Sequence, residues 1–356
     1  MQTSTLKKVG KRVLQIGVPI VVLAFFVRFV QGEWGQLRAH PFAWNPWLLL
    51  LAFCGFILQE LSYGLIWRMV LARLGARIDF RTSLRIYLAS EFVRYIPGNV
   101  WHVLTRILWV NRHGVSRPVA FASMTIELIT KLAAGALVFA VSLLFWGDTG
   151  KVGALVKGEP FVVGFGILLI LALFIVLHPR VLSGLMNTGL RMLKKNPVAL
   201  TLRYSDILVV TGAWCISWII AGSAFYILVL ALWPTLPLAA LPICIGIYAI
   251  AWDVGFVAFI TPSGLGFREA AIGGLFVLAL PFLPAVLGAV IAVLSRLVST
   301  FAELLCVGLA YAGGGRQMRA VQQEQMNIAE KVQEEASEQG ESTSLASAVE
   351  EGVIHE

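Results

Sequence analysis

Glu91 and Arg94 stand three residues apart, Glu127 and Lys131 four apart, and Arg296 and Glu303 seven apart, all inside strongly apolar sequence. Residues at those spacings share one face of a helix, so each pair can meet along it. Glu60, Arg106, Asp253, Arg268 and Glu269 complete a set of ionisable residues in stretches that otherwise have membrane composition. Charge at that depth is costly and by default faces a bundle interior or a wet cavity, where it serves a substrate, an ion or a proton. Arginines gathered there suit a phosphate, and the carboxylates suit an amine or a proton, or balance the arginines. The plainer reading is internal ion pairing that holds the bundle together, with Arg106 snorkelling to the headgroups. His102 suits either a proton relay or a backbone hydrogen bond. Asp253 suits a cation or one of the arginines.

Several of these residues flank two passages that resemble each other. One runs from Glu91 through Arg94, Pro97 and Gly98 to Trp101; the other runs from Phe259 through Pro262, Gly264 and Gly266 to Arg268 and Glu269. Backbone that leaves a helix at membrane depth loses hydrogen bonds that lipid cannot replace, so it is tolerated only where protein or a polar cavity surrounds it. Broken segments in the two halves of a membrane protein point to a transport site. A helix starting just after Pro262 presents free N–H groups and its positive dipole end, a natural anion site to which Arg268 adds charge. The alternative for each passage is an ordinary kink or a tight loop between two spans.

The elements that must position these residues are helices in a bilayer. The 356-residue chain is 58% hydrophobic and 13% charged, about half the charge of a soluble domain, and its mean hydropathy is +0.81. Apolar runs of about 20 residues, the length that crosses a membrane, lie at 13–30, 47–67, 119–146, 161–178, 206–233, 238–260 and 285–312. The broken passages sit in two further stretches, 86–110 and 262–283. Trp34, Trp44, Trp47, Trp67, Trp146 and Trp233 fall at span ends, as an interfacial belt would. Lys7, Lys8, Lys11 and Arg12 precede the first span and predict a cytoplasmic N-terminus over residues 1–12. Counting spans makes 86–110 a hairpin that dips in and returns. It brings both breaks in from the cytoplasmic side, with the second stretch crossing and the C-terminus cytoplasmic. The fold class expected is all-α: a polytopic membrane bundle of about eight transmembrane helices over 13–315, with a broken or re-entrant Pro-Gly segment in each half.

Residues 316–356 form a polar tail with nine Glu against Arg316, Arg319 and Lys331, a balance of −6. With +8 overall, the remainder carries +14, which suits cytoplasmic loops and anionic headgroups. The basic residues are spread over short loops, so no nucleic-acid partner is expected. Cys54, Cys215, Cys244 and Cys306 have no paired spacing and no metal motif surrounds them, so they read as small buried hydrophobes. No cofactor motif of any kind is present. The expected partners are membrane lipids.

The residues Tyr95-Ile96-Pro97-Gly98, Trp101, Arg106, Gly114-Val115 and Glu127, then Thr261 to Gly266, Arg268-Glu269 and Arg296, are similar in order and separation to the lysylphosphatidylglycerol synthase transmembrane region, a flippase-like membrane family. The resemblance spans residues 10–315. It implies a bundle of about eight helices with re-entrant elements that moves a lipid between leaflets of a bacterial inner membrane. The sequence carries no lysine-attaching domain, so lipid aminoacylation is not expected. Relatives that accompany hopanoid or polyprenyl-glycan pathways widen the range of lipids and add lipid or glycan biosynthesis proteins to the candidate partners. On this reading Arg94, Arg106, Arg268 and Arg296 receive a phosphate headgroup, and Glu127 and Glu269 balance them. Two alternatives stay open. One is an intramembrane transferase with Glu127, Asp253 or Glu269 as general base. The other is a scaffold that binds through the acidic tail.

Overall fold

The computed structural model of the chain describes residues 42–92, 101–148, 168, 170–171, 173–192, 202–258, 264 and 266–312. The expected span at 13–30, most of that at 161–178, and the acidic tail lie outside the described residues. So do Arg94, Pro97, Gly98 and Pro262. The described residues are helical, with no strand among them: α1 Pro46–Arg73, α2 Phe80–Phe92, α3 Trp101–Asn111, α4 Arg117–Ser142, α5 Pro179–Met192, α6 Tyr204–Leu232, α7 Leu241–Val257, α8 Phe267–Ala279 and α9 Ala285–Ala312. Five of these helices are long and apolar enough to cross a membrane, counting Arg117–Trp146 and Leu238–Val257 with their 3-10 extensions.

The helix boundaries follow from local chemistry. Asn45 Oδ1 accepts from the N–H groups of Trp47 (3.0 Å) and Leu48 (3.3 Å), and Pro46 occupies the first position, where no N–H is needed. Asp79 accepts from the N–H groups of Arg81 and Thr82 at the start of α2. At α8 the Glu269 carboxylate accepts the N–H of Gly266 at 2.7 Å.

α6 is apolar on every side and sits innermost, with 61% of its most apolar window buried against 33% for α1 and 39% for α4 and α9. It packs on α1, α4 and α7. The outer helices turn large side chains outward, among them Leu51, Leu58 and Leu65 of α1 and Leu297, Phe301 and Leu309 of α9. A bilayer accepts such a surface because lipid tails are as apolar as leucine.

Two ends of the bundle can be told apart. Arg73, closing α1, pairs with Asp206, opening α6, at 3.4 Å, and Trp67 of α1 donates to Ser123 Oγ near the start of α4 at 3.1 Å. The loop 74–79 and residues 112–116 therefore share the first end. The backbone N–H groups of Ala43 and Asn45, before α1, donate to the carbonyls of Leu232 and Ala231, closing α6. That is the second end, where α7 begins and α8 meets α9. The pair α2–α3 thus has both outer ends at the first end, and α7–α8 has both at the second. The span count brought both breaks in from one side; the helices bring them from opposite ends. Parity misled because Leu238–Val257 is long enough by itself to count as a full crossing.

Other expectations also change. Trp44 and Trp47 are exposed at the second end, as an interfacial belt requires, but Trp67 and Trp146 are buried in helix packing. Cys244 and Cys306 are buried, whereas Cys54 faces outward. α9 and α2 are joined by a long-range bond: Tyr311 Oη donates to the carbonyl of Ala89 at 3.3 Å.

With the four native cysteines replaced, Arg77→Cys and Phe282→Cys variants should react with a membrane-impermeant maleimide from opposite sides of sealed vesicles. Labelling of both from one side contradicts the arrangement.

Candidate functional site

α1, α2, α3, α4, α7, α8 and α9 surround a cavity of about 440 Å³. Its ionisable lining comprises Glu60, Glu91, Glu127 and Glu303 against Arg106, Lys131, Arg268 and Arg296, with His102 beside them. Four carboxylates thus face four cations among the described residues, so the side chains' neighbours decide where charge is available.

Arg106 is the most completely satisfied. It is 2% exposed. Its Nε donates to Ser90 Oγ at 2.9 Å, Nη1 to Glu127 Oε2 at 2.9 Å, and Nη2 to Glu91 Oε1. The guanidinium carbon lies 3.9 Å from the Tyr87 ring centre, and Tyr87 Oη donates to the other Glu127 oxygen at 2.8 Å. The helices on both sides of the first break, α2 and α3, are in this way tied to α4. Arg106 neither snorkels to an interface nor offers an open fork to a phosphate. Glu127, expected beside Lys131 on its own helix, gives one oxygen to Arg106 and the other to Tyr87.

Lys131 points into a cluster of rings. Its ammonium lies 3.7 Å from the centre of Tyr63, 3.9 Å from Trp252, 5.1 Å from Trp214 and 5.8 Å from Trp218. Desolvated cation–π contacts are worth about 2 kcal/mol or more. Trp218 Nε1 also donates to the Lys131 carbonyl at 3.1 Å, fixing α6 against α4 at this level. Trp252 stacks in turn on Phe256.

Around the second break the backbone itself closes in. Gly264 has φ of 67°, and a Cβ there would lie 2.6 Å from Gly255 Cα, so only glycine fits. Gly266 has φ of 90° and leads into α8. Arg268, the second residue of α8 and 8% exposed, donates from Nη2 to Tyr248 Oη at 2.7 Å. Its Nε is buried and makes no hydrogen bond among the described residues. Its nearest partner is thus a neutral phenol. Arg296 reaches across from α9 to Glu269 at 3.7 Å, so Glu269 both caps α8 and faces a cation.

Of the expected site residues, Glu91, Arg106, Glu127, Lys131, Gly264, Arg268 and Arg296 line the cavity. Gly266 and Glu269 shape the start of α8 beside it. Trp101 opens α3, and its side chain lies outside the described residues, as do Arg94, Pro97, Gly98 and Pro262. Asp253 is buried behind the lining. Sequence reasoning missed the aromatic partners Tyr63, Tyr87, Tyr248 and Trp252, which look like ordinary apolar helix. One signal was readable: Glu60, Tyr63 and Trp67 recur at helical spacing down one side of α1.

This arrangement, with short and long helices surrounding a charged cavity inside an apolar bundle, can be set beside known proteins. The family described as lysylphosphatidylglycerol synthase TM region matches residues 12–306. The chain belongs to this family. A comparison with curated proteins gives no match. Family and apolar helices together make the chain a multi-pass integral membrane protein related to lipids.

Removing Arg106 takes a buried cation away from two buried carboxylates, Glu91 and Glu127. Arg106→Ala should destabilise the detergent-purified protein by about 3–5 kcal/mol, seen as a large drop in its thermal or denaturant midpoint. Arg268→Gln, which removes no carboxylate's partner, should shift that midpoint far less.

Proposed function

We propose that the chain is a flippase-like transporter that seats the phosphate of a lipid headgroup in the mid-membrane cavity, while the acyl chains stay in the surrounding bilayer. The observation that carries this is Arg268. A buried guanidinium whose Nε lacks a partner is costly. This one lines a cavity of about 440 Å³ beside a helix start, where backbone N–H groups favour an anion. The cavity falls within the range of small-ligand sites, ~300–1,000 Å³. It is large enough for a headgroup.

The four-arginine receiver expected from the sequence narrows on this reading. Arg106 already holds Glu91 and Glu127, and Arg296 faces Glu269, so the phosphate goes to Arg268, with Arg296 able to turn towards it. The two breaks entering from opposite ends support alternating access, because each broken pair fronts one side of the membrane. The reading assigns the protein to a bacterial inner membrane, with lipids as its partners, and requires no bond to be made or broken.

The test uses purified protein in phosphatidylglycerol/phosphatidylethanolamine vesicles carrying a fluorescent phosphatidylglycerol and an impermeant quencher. The protein should raise the fraction of probe that becomes accessible. Arg268→Gln should slow that exposure by about tenfold, the worth of one charge-assisted hydrogen bond. Exposure no faster than in empty vesicles overturns the proposal.

A further inference from the structure

Asp253 follows Trp252, one of the rings that hold Lys131, on α7, yet it does not line the cavity. It is 7% exposed. Its carboxyl rests on α4 where Gly135 leaves room: a Cβ at Gly135 would lie 2.9 Å from Asp253 Cγ. Oδ1 is buried and makes no hydrogen bond among the described residues. Lys131 and Gly135 are four apart on α4 and therefore neighbours on one face. Trp252, next to Asp253 in sequence, is one of the rings over the Lys131 ammonium. The lysine thus sits over rings at the cavity, and the buried acid next to one of those rings has an oxygen with no hydrogen bond among the described residues.

The other ionisable groups on the elements packed against α7 are engaged or remote. On α4, Glu127 bonds Arg106 and Tyr87. On α8, Arg268 bonds Tyr248, and Glu269 serves Gly266 and Arg296. α6 carries one charged residue, Asp206, which pairs with Arg73 at the first end. The 3-10 segment after α4 ends at Asp148, near the second end. Lys131, with its ammonium 3.9 Å from the centre of the neighbouring Trp252 ring, is the cation beside Asp253.

Burying a carboxylate without compensation costs several kcal/mol. Two agents can supply compensation here, a proton or the Lys131 ammonium, and a flexible lysine stem can exchange one for the other. We propose that Asp253 is a proton-binding site that couples lipid movement to protons. With Lys131 on its rings, Asp253 is a carboxylic acid. When Lys131 swings to Oδ1, the acid releases its proton to water in the cavity and the ammonium takes its place. The seat over Tyr63 and Trp252 is then vacated on the cavity side, where the headgroup passes. The coupling rests on the transport reading above; the proton site does not.

Two measurements separate them. In the vesicle assay, an imposed gradient of about one pH unit, a tenfold difference in proton activity, should change the wild-type rate by about threefold. In Asp253→Asn and Lys131→Gln the ratio of rates with and without the gradient should fall to one. A wild-type rate indifferent to the gradient, or an Asn variant that still responds, overturns the coupling. Infrared difference spectra of the purified protein between acid and alkaline buffer should show a carboxylic C=O band that Asp253→Asn lacks. If wild-type and variant spectra coincide, the proton site is overturned. A band with no transport in any gradient overturns the transport reading and the coupling, and leaves the proton site standing.

Discussion

A guanidinium inside hydrocarbon survives only if its N–H groups and its charge are both answered, and Arg106 meets that condition with groups drawn from two other helices. Glu91 and Ser90 come from the end of α2 and Glu127 from the middle of α4, while Arg106 itself sits in the middle of α3. Tyr87 stacks on the guanidinium and bonds the same glutamate. Removing any one of these leaves a buried charge or donor exposed to a low-dielectric surrounding, so the members are mutually dependent. The consequence reaches beyond the pair. α2 and α3 are the helices on either side of residues 93–100, and neither is long enough to cross a bilayer alone. Both are pinned by charge to α4, a helix long enough to cross.

The remaining cations show a gradient of satisfaction. Arg106 has two carboxylates, Arg296 faces one at 3.7 Å, Lys131 sits over rings, and Arg268 bonds a phenol with Nε left over. Buried polar groups are normally bonded, so exceptions are where an unseen partner belongs. Arg106 thus ties helices of the bundle together, whereas Arg268 keeps a buried donor with no hydrogen bond among the described residues. Composition alone presents the two arginines as equivalents.

Much of the architecture was legible. Apolar length marked α1, α4, α6 and α9, and Pro-Gly clusters marked where helices stop, because those signals are local and cumulative along the chain. Choice of partner was not legible. Helical spacing offers Glu127 only the neighbour on its own helix, Lys131, and cannot know that Arg106 arrives from α3. The same limit hid Glu269 as the partner of Arg296. The rings around Lys131 were invisible for another reason. Trp214, Trp218 and Trp252 are apolar by composition, and nothing in their spacing says that a cation will be set among them. The direction of the second broken pair failed through counting, since a helix of crossing length need not be followed by an exit.

The bond from Tyr311 to the Ala89 carbonyl spans 222 residues of sequence. Its acceptor belongs to the first broken pair and its donor to the final described helix. During synthesis the chain emerges from its N-terminus, so the carbonyl must wait while almost the whole remaining bundle is made. The first pair can enter the membrane early, but the Ala89 carbonyl gains this bond only when α9 docks. Assembly thus has a late step: the final described helix adds a contact that the first half cannot make by itself, and a chain stopped short of residue 311 lacks it.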